Sequence, residues 1–266
     1  MKKVLLFLLL GVVSLQAQQS ADQVLLTEKL FLVFDFMDVK AAQLTDYLEV
    51  EDFWKGIHQQ RVKRGDIIGW DLWSITPGGQ KQGSQYLTVS LYSSFAKMIK
   101  GVSVDEITAD AKNAYPDKSD TEIEAMIAKT GQSREIGYQL MLERIDFTKD
   151  QFDMPIGTIA TMGAMQQLKS EYEKAETEIF KPWHQSEVDA GAKGTWAIAR
   201  IIFPAGTDRY ATHLVFNMFK DSDQYAKWNE RNFPELDFNT QQAVSAGLET
   251  RDLKSIEMLT LIDKVR

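Results

Sequence analysis

The sequence predicts an α+β fold in which one chain carries two tandem βαββαβ units. Two observations predict it: the halves of the chain match each other, and both run through the same order of strands and helices. Trp54, Lys55, His58, Gln59, Val62, Gly65 and Trp70 recur as Phe180, Lys181, His184, Gln185, Val188, Gly191 and Trp196, every pair at an offset of 126. Tyr86 and Thr88 align with Tyr210 and Thr212 at 124, and Arg134, Met141, Leu142, Ile145 and Asp146 align with Arg251, Met258, Leu259, Ile262 and Asp263 at 117. Ordered identities with gaps confined to connecting segments indicate a repeat, and a repeat of this length fixes the architecture before any single element does.

In the first half, Leu30 to Val39 is rich in Phe and Val and alternates, so it predicts a strand. Ala41 to about Arg64 carries Leu44, Tyr47, Leu48, Trp54 and Val62 at helical spacing and is stopped by Gly65. Trp70–Thr76 and Tyr86–Tyr92 are the next strands, joined through Pro77, Gly78 and Gly79. A helical region follows, divided near Pro116 and restarted by a capping box of Ser119 and Glu122. Ile136–Asp146 closes the unit as a strand. The second half repeats the order, with strands at Ile156–Met165, Thr195–Phe203, Tyr210–Phe219 and Ser255–Asp263 and a first helix running to Gly191. The units span residues 28–150 and 151–266.

Strand, helix, strand, strand, helix, strand is the ferredoxin-like order, an antiparallel sheet with helices on one face. The bare face of each sheet needs a partner, and a tandem copy supplies it, so the two sheets are expected face to face as an intrachain pseudo-dimeric α/β barrel. At Trp54, Lys55, Ile57 and His58, followed by Gly65 and a Trp-containing strand, the sequence resembles the dimeric α/β-barrel superfamily, in its NIPSNAP-like and antibiotic-biosynthesis-monooxygenase-like branch. The resemblance implies a pocket between helix and sheet.

At the N-terminus, Lys2 and Lys3 precede an apolar run, Val4 to Val13, that is too short to span a bilayer, with a cleavage site offered by Leu15 to Ala17. Residues 1–17 therefore read as a signal peptide, and the mature chain is expected to be exported, periplasmic or secreted, with no membrane association after cleavage. With 30 basic against 38 acidic residues and no basic run, the chain has no electrostatic drive toward nucleic acid. Lacking cysteine, it has neither disulfides nor thiolate metal sites.

Histidine is the scarce residue that titrates near neutrality. His58 and His184 occupy equivalent positions on the apolar stripe of the first helix, where an imidazole is either satisfied within the core or placed for function. Gly56 and Pro182, each two residues before the histidine, weaken a helix for different reasons and predict a bend in both copies. The candidate ligand-binding set is thus Trp54, His58 and Trp70 with Arg134, and Phe180, His184 and Trp196 with Arg251; the aromatics otherwise serve as core and the arginines as surface charges beside Glu135 and Asp252. Glu51 lies on the His58 stripe and aligns with Thr177 at the offset of 126, so a carboxylate base is expected in one half only, while His213 aligns with Val89 as an ordinary strand residue.

No phosphate loop, zinc helix or nucleophile elbow occurs. No metal is expected because no carboxylate repeats in register with the histidines, and no cofactor is expected, haem included. Two classes of function stay open. One is a binding or interaction module, in which the pseudo-dimer holds a small apolar or anionic ligand or the outer helices hold a partner protein; the other is a cofactor-independent oxygenase or isomerase using a helix histidine as proton acceptor.

Overall fold

In the computed structural model, which describes residues 29–266 except 78, 80, 82, 151, 233 and 234, eight antiparallel strands close into a barrel. The expected signal peptide lies outside the described residues. In the first half β1 (Phe31–Asp38), α1 (Leu44–Arg64), β2 (Gly69–Thr76) and β3 (Tyr86–Tyr92) are followed by α2 (Phe95–Lys100), α3 (Val104–Ala114), α4 (Asp120–Ser133) and β4 (Glu135–Phe147). The second half has β5 (Ile159–Gln167), α5 (Tyr172–Ala175), a π turn (Glu176–Phe180), α6 (Lys181–Asp189), β6 (Thr195–Phe203) and β7 (His213–Phe219), then α7 (Ser222–Asn229), α8 (Phe238–Leu248) and β8 (Arg251–Val265).

Strand order is β4-β1-β3-β2 in one half and β8-β5-β7-β6 in the other, and the halves join edge to edge, β2 on β8 and β6 on β4. The expected face-to-face contact of two sheets is thus completed by backbone pairing at both seams, which leaves no edge strand along the barrel wall. Period-two alternation divides each strand between two cores. Leu32, Phe34, Trp73, Leu87, Val89 and Leu142 point into the lumen with Ala160, Met162, Leu214, Phe216 and Leu259, whereas Phe31, Val33, Met37, Trp70 and Leu72 face outward beneath the helices.

Each seam carries a matching ion pair. Lys55 on α1 reaches Asp263 of β8 at 2.8 Å, and Lys181 on α6 reaches Asp146 of β4 at 2.5 Å. Both lysines and both aspartates belong to the repeated set, so each half clasps the other through the same two residues.

Helix α1 ends where Gly65 adopts φ 78° and its N–H caps the Arg61 and Val62 carbonyls; Gly191 takes φ 69° at the corresponding place. The capping box of Ser119 and Glu122 is present, with both reciprocal hydrogen bonds. The expected bend at Gly56 is absent: α1 runs unbroken through it. Gly56 instead lets the Tyr115 ring lie against the helix, since an added Cβ would come within 2.5 Å of its Oη, which donates to the Asp52 and Phe53 carbonyls. In the second half the irregularity is real but takes another form, the π turn immediately ahead of Pro182. Three strand starts also move: Thr158 belongs to a turn closed by its N–H to Pro155, β7 begins at His213, and β8 begins earlier, at Arg251.

Candidate functional site

Tyr47, Glu51, Trp54, His58 and Arg61 follow one another at intervals of three and four, so α1 presents all five along the face that lies over the sheet. The outward residues of β1, β2 and β3 complete the walls: Asp35 and Met37, Trp70, and Thr88, Ser90 and Tyr92. Arg134 enters from the junction between α4 and β4. Between helix and sheet they enclose a cavity of about 650 Å³ lined by Trp54, His58, Trp70 and Arg134, together with Asp35, Glu51 and Arg61. His58 lies flat on Trp70, with ring centroids 4.8 Å apart and planes 21° from parallel, and Trp54 donates through Nε1 to Thr130 Oγ1 at 3.0 Å.

Charge is unevenly matched here. Arg134 Nε lies 3.1 Å from Glu51 Oε1, close enough for a charge pair, yet neither atom meets a hydrogen-bond geometry. Burial pushes the Glu51 carboxyl up to about 7 despite Arg134 and the neighbouring Tyr47 phenol, and burial raises Asp35 against the pull of its 2.6 Å bond from Gln139. Burial, then the positive charge of Arg61, hold His58 well below the ordinary histidine range, so its ring is neutral at pH 7. Arg61 itself is 4% exposed; its guanidinium contacts His58 Nδ1 at 3.2 Å and the Tyr92 hydroxyl at 3.3 Å, and its Nε has no partner. Among the described residues no carboxylate comes within ion-pair distance of it. A guanidinium stays charged in a protein, so this is a buried cation whose contacts are all neutral.

The second half gathers its predicted residues differently. His184 stacks on Trp196 at 5.1 Å and 21°, repeating the first half, but Lys193 Nζ occupies the space beside it, 2.9 Å from His184 Nδ1. Lys193 aligns with Ile67 at the offset of 126. Its side chain is fully buried, held by Glu187 at 2.7 Å and Asn217 at 2.6 Å, and Arg231 and Trp228 close over Glu187. Burial lowers Lys193 to about 8 and His184 to about 4. Phe180 is buried with the Arg251 guanidinium 4.5 Å above its ring. An ionic cluster therefore stands where the first half has its cavity.

Two alignments change. The π turn adds one residue, so ahead of it the offset is 125: Tyr172 answers Tyr47 and Glu176, not Thr177, answers Glu51. Glu176 is ion-paired with Arg251 as Glu51 is with Arg134, so a carboxylate stands in both halves, contrary to expectation. In the sheet, Trp70 faces Ser90 and Trp196 faces Asn217, an offset of 127 for the third strand in place of 124. His213 thereby answers Tyr86; it packs on Tyr172 at 4.9 Å as Tyr86 packs on Tyr47 at 4.7 Å, and it is bonded to Glu173 at 2.9 Å. The arginines are not surface charges beside Glu135 and Asp252 but the partners of these helix carboxylates. Tyr-x-x-x-Glu at 47–51 and again at 172–176 was the available signal for the missed residues; Arg61 gave none, because its counterpart is Glu187.

Comparison with solved structures finds the same overall fold at low identity. A provisionally assigned monooxygenase from Fusobacterium nucleatum superposes with a TM-score of 0.55 at 13% identity, over 89% of this chain and 94% of its own. A variant chlorite dismutase from Candidatus Nitrospira defluvii, solved in complex with cyanide, gives 0.51 at 7% identity, over 92% and 95%. No family model and no curated protein matches the sequence. The likeness is one of fold, an α+β barrel of the monooxygenase and chlorite dismutase kind.

Proposed function

We propose that the protein binds a small organic anion in the first-half cavity, among Trp54, His58, Trp70, Arg134, Asp35, Glu51 and Arg61. The observation that carries this reading is Arg61, a nearly fully buried guanidinium with no carboxylate within ion-pair distance among the described residues, Asp35 acting on it only from farther across the cavity, on the wall of a ligand-sized space with a stacked His58–Trp70 floor. A carboxylate on a flat or apolar body supplies the charge to Arg61 and the surface to the aromatic wall. Calorimetric titration with benzoate and phenylacetate tests it, with benzamide and phenylacetamide as uncharged controls. Binding of the acids, lost in Arg61→Met, is expected; equal affinity for acid and amide overturns the charge argument.

Glu51 favours a second reading, an enzyme of the cofactor-independent oxygenase or isomerase kind. Its carboxyl, titrating at about 7 within the cavity, is a better proton acceptor at neutral pH than His58, whose Nδ1 already faces Arg61. Chromatography coupled to mass spectrometry of the bound anion after incubation with protein in air separates the two, since an anion unaltered in both retention and mass leaves binding alone. We further read residues 28–150 and 151–266 as copies of one ferredoxin-like unit, related by a pseudo-two-fold axis and nearest the NIPSNAP-like branch; the identical strand orders and reciprocal lysine–aspartate pairs support this. The second copy then serves as structural partner, and its Phe180, His184, Trp196 and Arg251 as packing. Export rests on the apolar run behind Lys2 and Lys3, and N-terminal sequencing of protein from the source cell that still began at Met1 would overturn it.

A further inference from the structure

The barrel lumen holds a second cavity, separate from the helix–sheet site and on the opposite face of the sheet. Its volume is about 180 Å³, and its walls are apolar except at one end. The void has a definite origin in the sequence. Ala160, Ala197 and Ala199 face inward from β5 and β6, at the positions where the first half has Leu32, Asp71 and Trp73. Three small side chains on one wall of a barrel leave a gap that their larger counterparts fill on the other. Phe34 and Phe216, with ring centroids 5.8 Å apart, stand on its border.

Charged lining residues gather at one end of the barrel, where β1, β2, β5 and β6 begin. They come in opposite signs: Arg266 reaches Asp71 at 2.7 Å, and Arg144 lies near Asp150 with its guanidinium 4.0 Å above the Phe147 ring. Both signs being present, this end makes no demand for a charged ligand, unlike Arg61 on the outer wall. A largely apolar space of this size is kept open against lost packing contacts, and such spaces accept single aromatic rings.

We propose that the lumen is a second ligand site, selective for a small uncharged apolar molecule about the size of one aromatic ring, seated against Ala160, Ala199 and Phe216. The probe is toluene, with benzoate as the charged counterpart. Toluene is expected to raise the melting temperature of the full chain and to bind Arg61→Met unchanged. Ala199→Leu, which fills the gap, is expected to melt higher without ligand and to weaken toluene by at least about tenfold. Ala197→Leu provides the same test if the first variant fails to fold, and xenon-pressurised crystals of the unaltered protein are expected to show density beside Ala160 and Phe216. No toluene shift in the unaltered protein, undiminished affinity in the filled variants, loss of toluene binding in Arg61→Met, or xenon absent from the lumen would each overturn the proposal.

Discussion

At the scale of single residues, the energetics of the outer cavity turn on Arg61. Burying a cation whose direct contacts are neutral costs several kcal/mol that Asp35, outside ion-pair distance, repays only in part, so Arg61→Met is expected to raise the stability of the ligand-free protein by about 1 kcal/mol or more while abolishing anion binding. Urea denaturation with and without benzoate checks both signs. The histidines set a pH dependence. His184, lowered to about 4 from 6.5, is neutral in the folded chain where an unfolded one would be protonated. The unfolded state therefore binds more protons between these values; the stability that His184 contributes is complete above about 6.5 and is lost as pH falls toward 4. Glu51, raised from 4.5 to about 7, acts in the opposite sense, its contribution declining as pH rises through that interval. Melting temperatures from pH 7 to 4.5 should fall less in His184→Leu than in the unaltered protein, and a variant with the same acid limb sinks the assignment.

At the scale of elements, one glycine and one extra residue decide how the first helix of each half meets its neighbours. Helix propensity alone makes Gly56→Ala stabilising by about 1 kcal/mol. The Tyr115 ring reverses this, because the new methyl would collide with it, and overpacking of this kind costs about 1–3 kcal/mol. The substitution is expected to lower the melting temperature, and Tyr115→Ala in the same chain should recover part of the loss. The π turn is tested by deleting Thr177. The deletion leaves Glu176 seven residues before His184, the spacing of Glu51 and His58 in the unbroken α1, so an uninterrupted α-helix should keep Glu176 on Arg251. The variant is expected to unfold at nearly the same denaturant as the unaltered protein, whereas Glu176→Ala, which breaks the buried pair, should lose about 3–5 kcal/mol; a deletion as damaging as Glu176→Ala would contradict this register.

At the scale of the whole molecule, stability is shared across two seams. Residues 29–150 alone would present the inward faces of β1 to β4 to water, together with the unpaired edges of β2 and β4. That half is expected either to remain unfolded or to form a homodimer in which Lys55 meets Asp146 of the second copy, and light scattering with circular dichroism distinguishes these from a folded monomer, which would contradict the seam argument. Most of this architecture was legible beforehand. Alternation marked out the eight strands of the α+β barrel, because periodicity is written in the chain itself. What stayed hidden were features set by contact across the fold: the shift of Glu176 by one π turn, the pairing of His213 with Tyr172, and the fit of Tyr115 over Gly56. Arg61 was passed over for another reason. Without a matching residue in the second half it was one basic side chain among several on a helix, and only the burial that the sheet and α1 impose on it marks it out.

The two stacks of imidazole on indole have a practical consequence. Trp70 under His58 and Trp196 under His184 are the same chromophore in nearly the same geometry, one beside an open cavity and the other beside an ionic cluster. A ligand entering the outer cavity alters the surroundings of Trp70 while leaving Trp196 as it was. The molecule thus carries an internal optical standard, and the difference between the emission of Trp196→Phe and Trp70→Phe proteins reads out occupancy without any label.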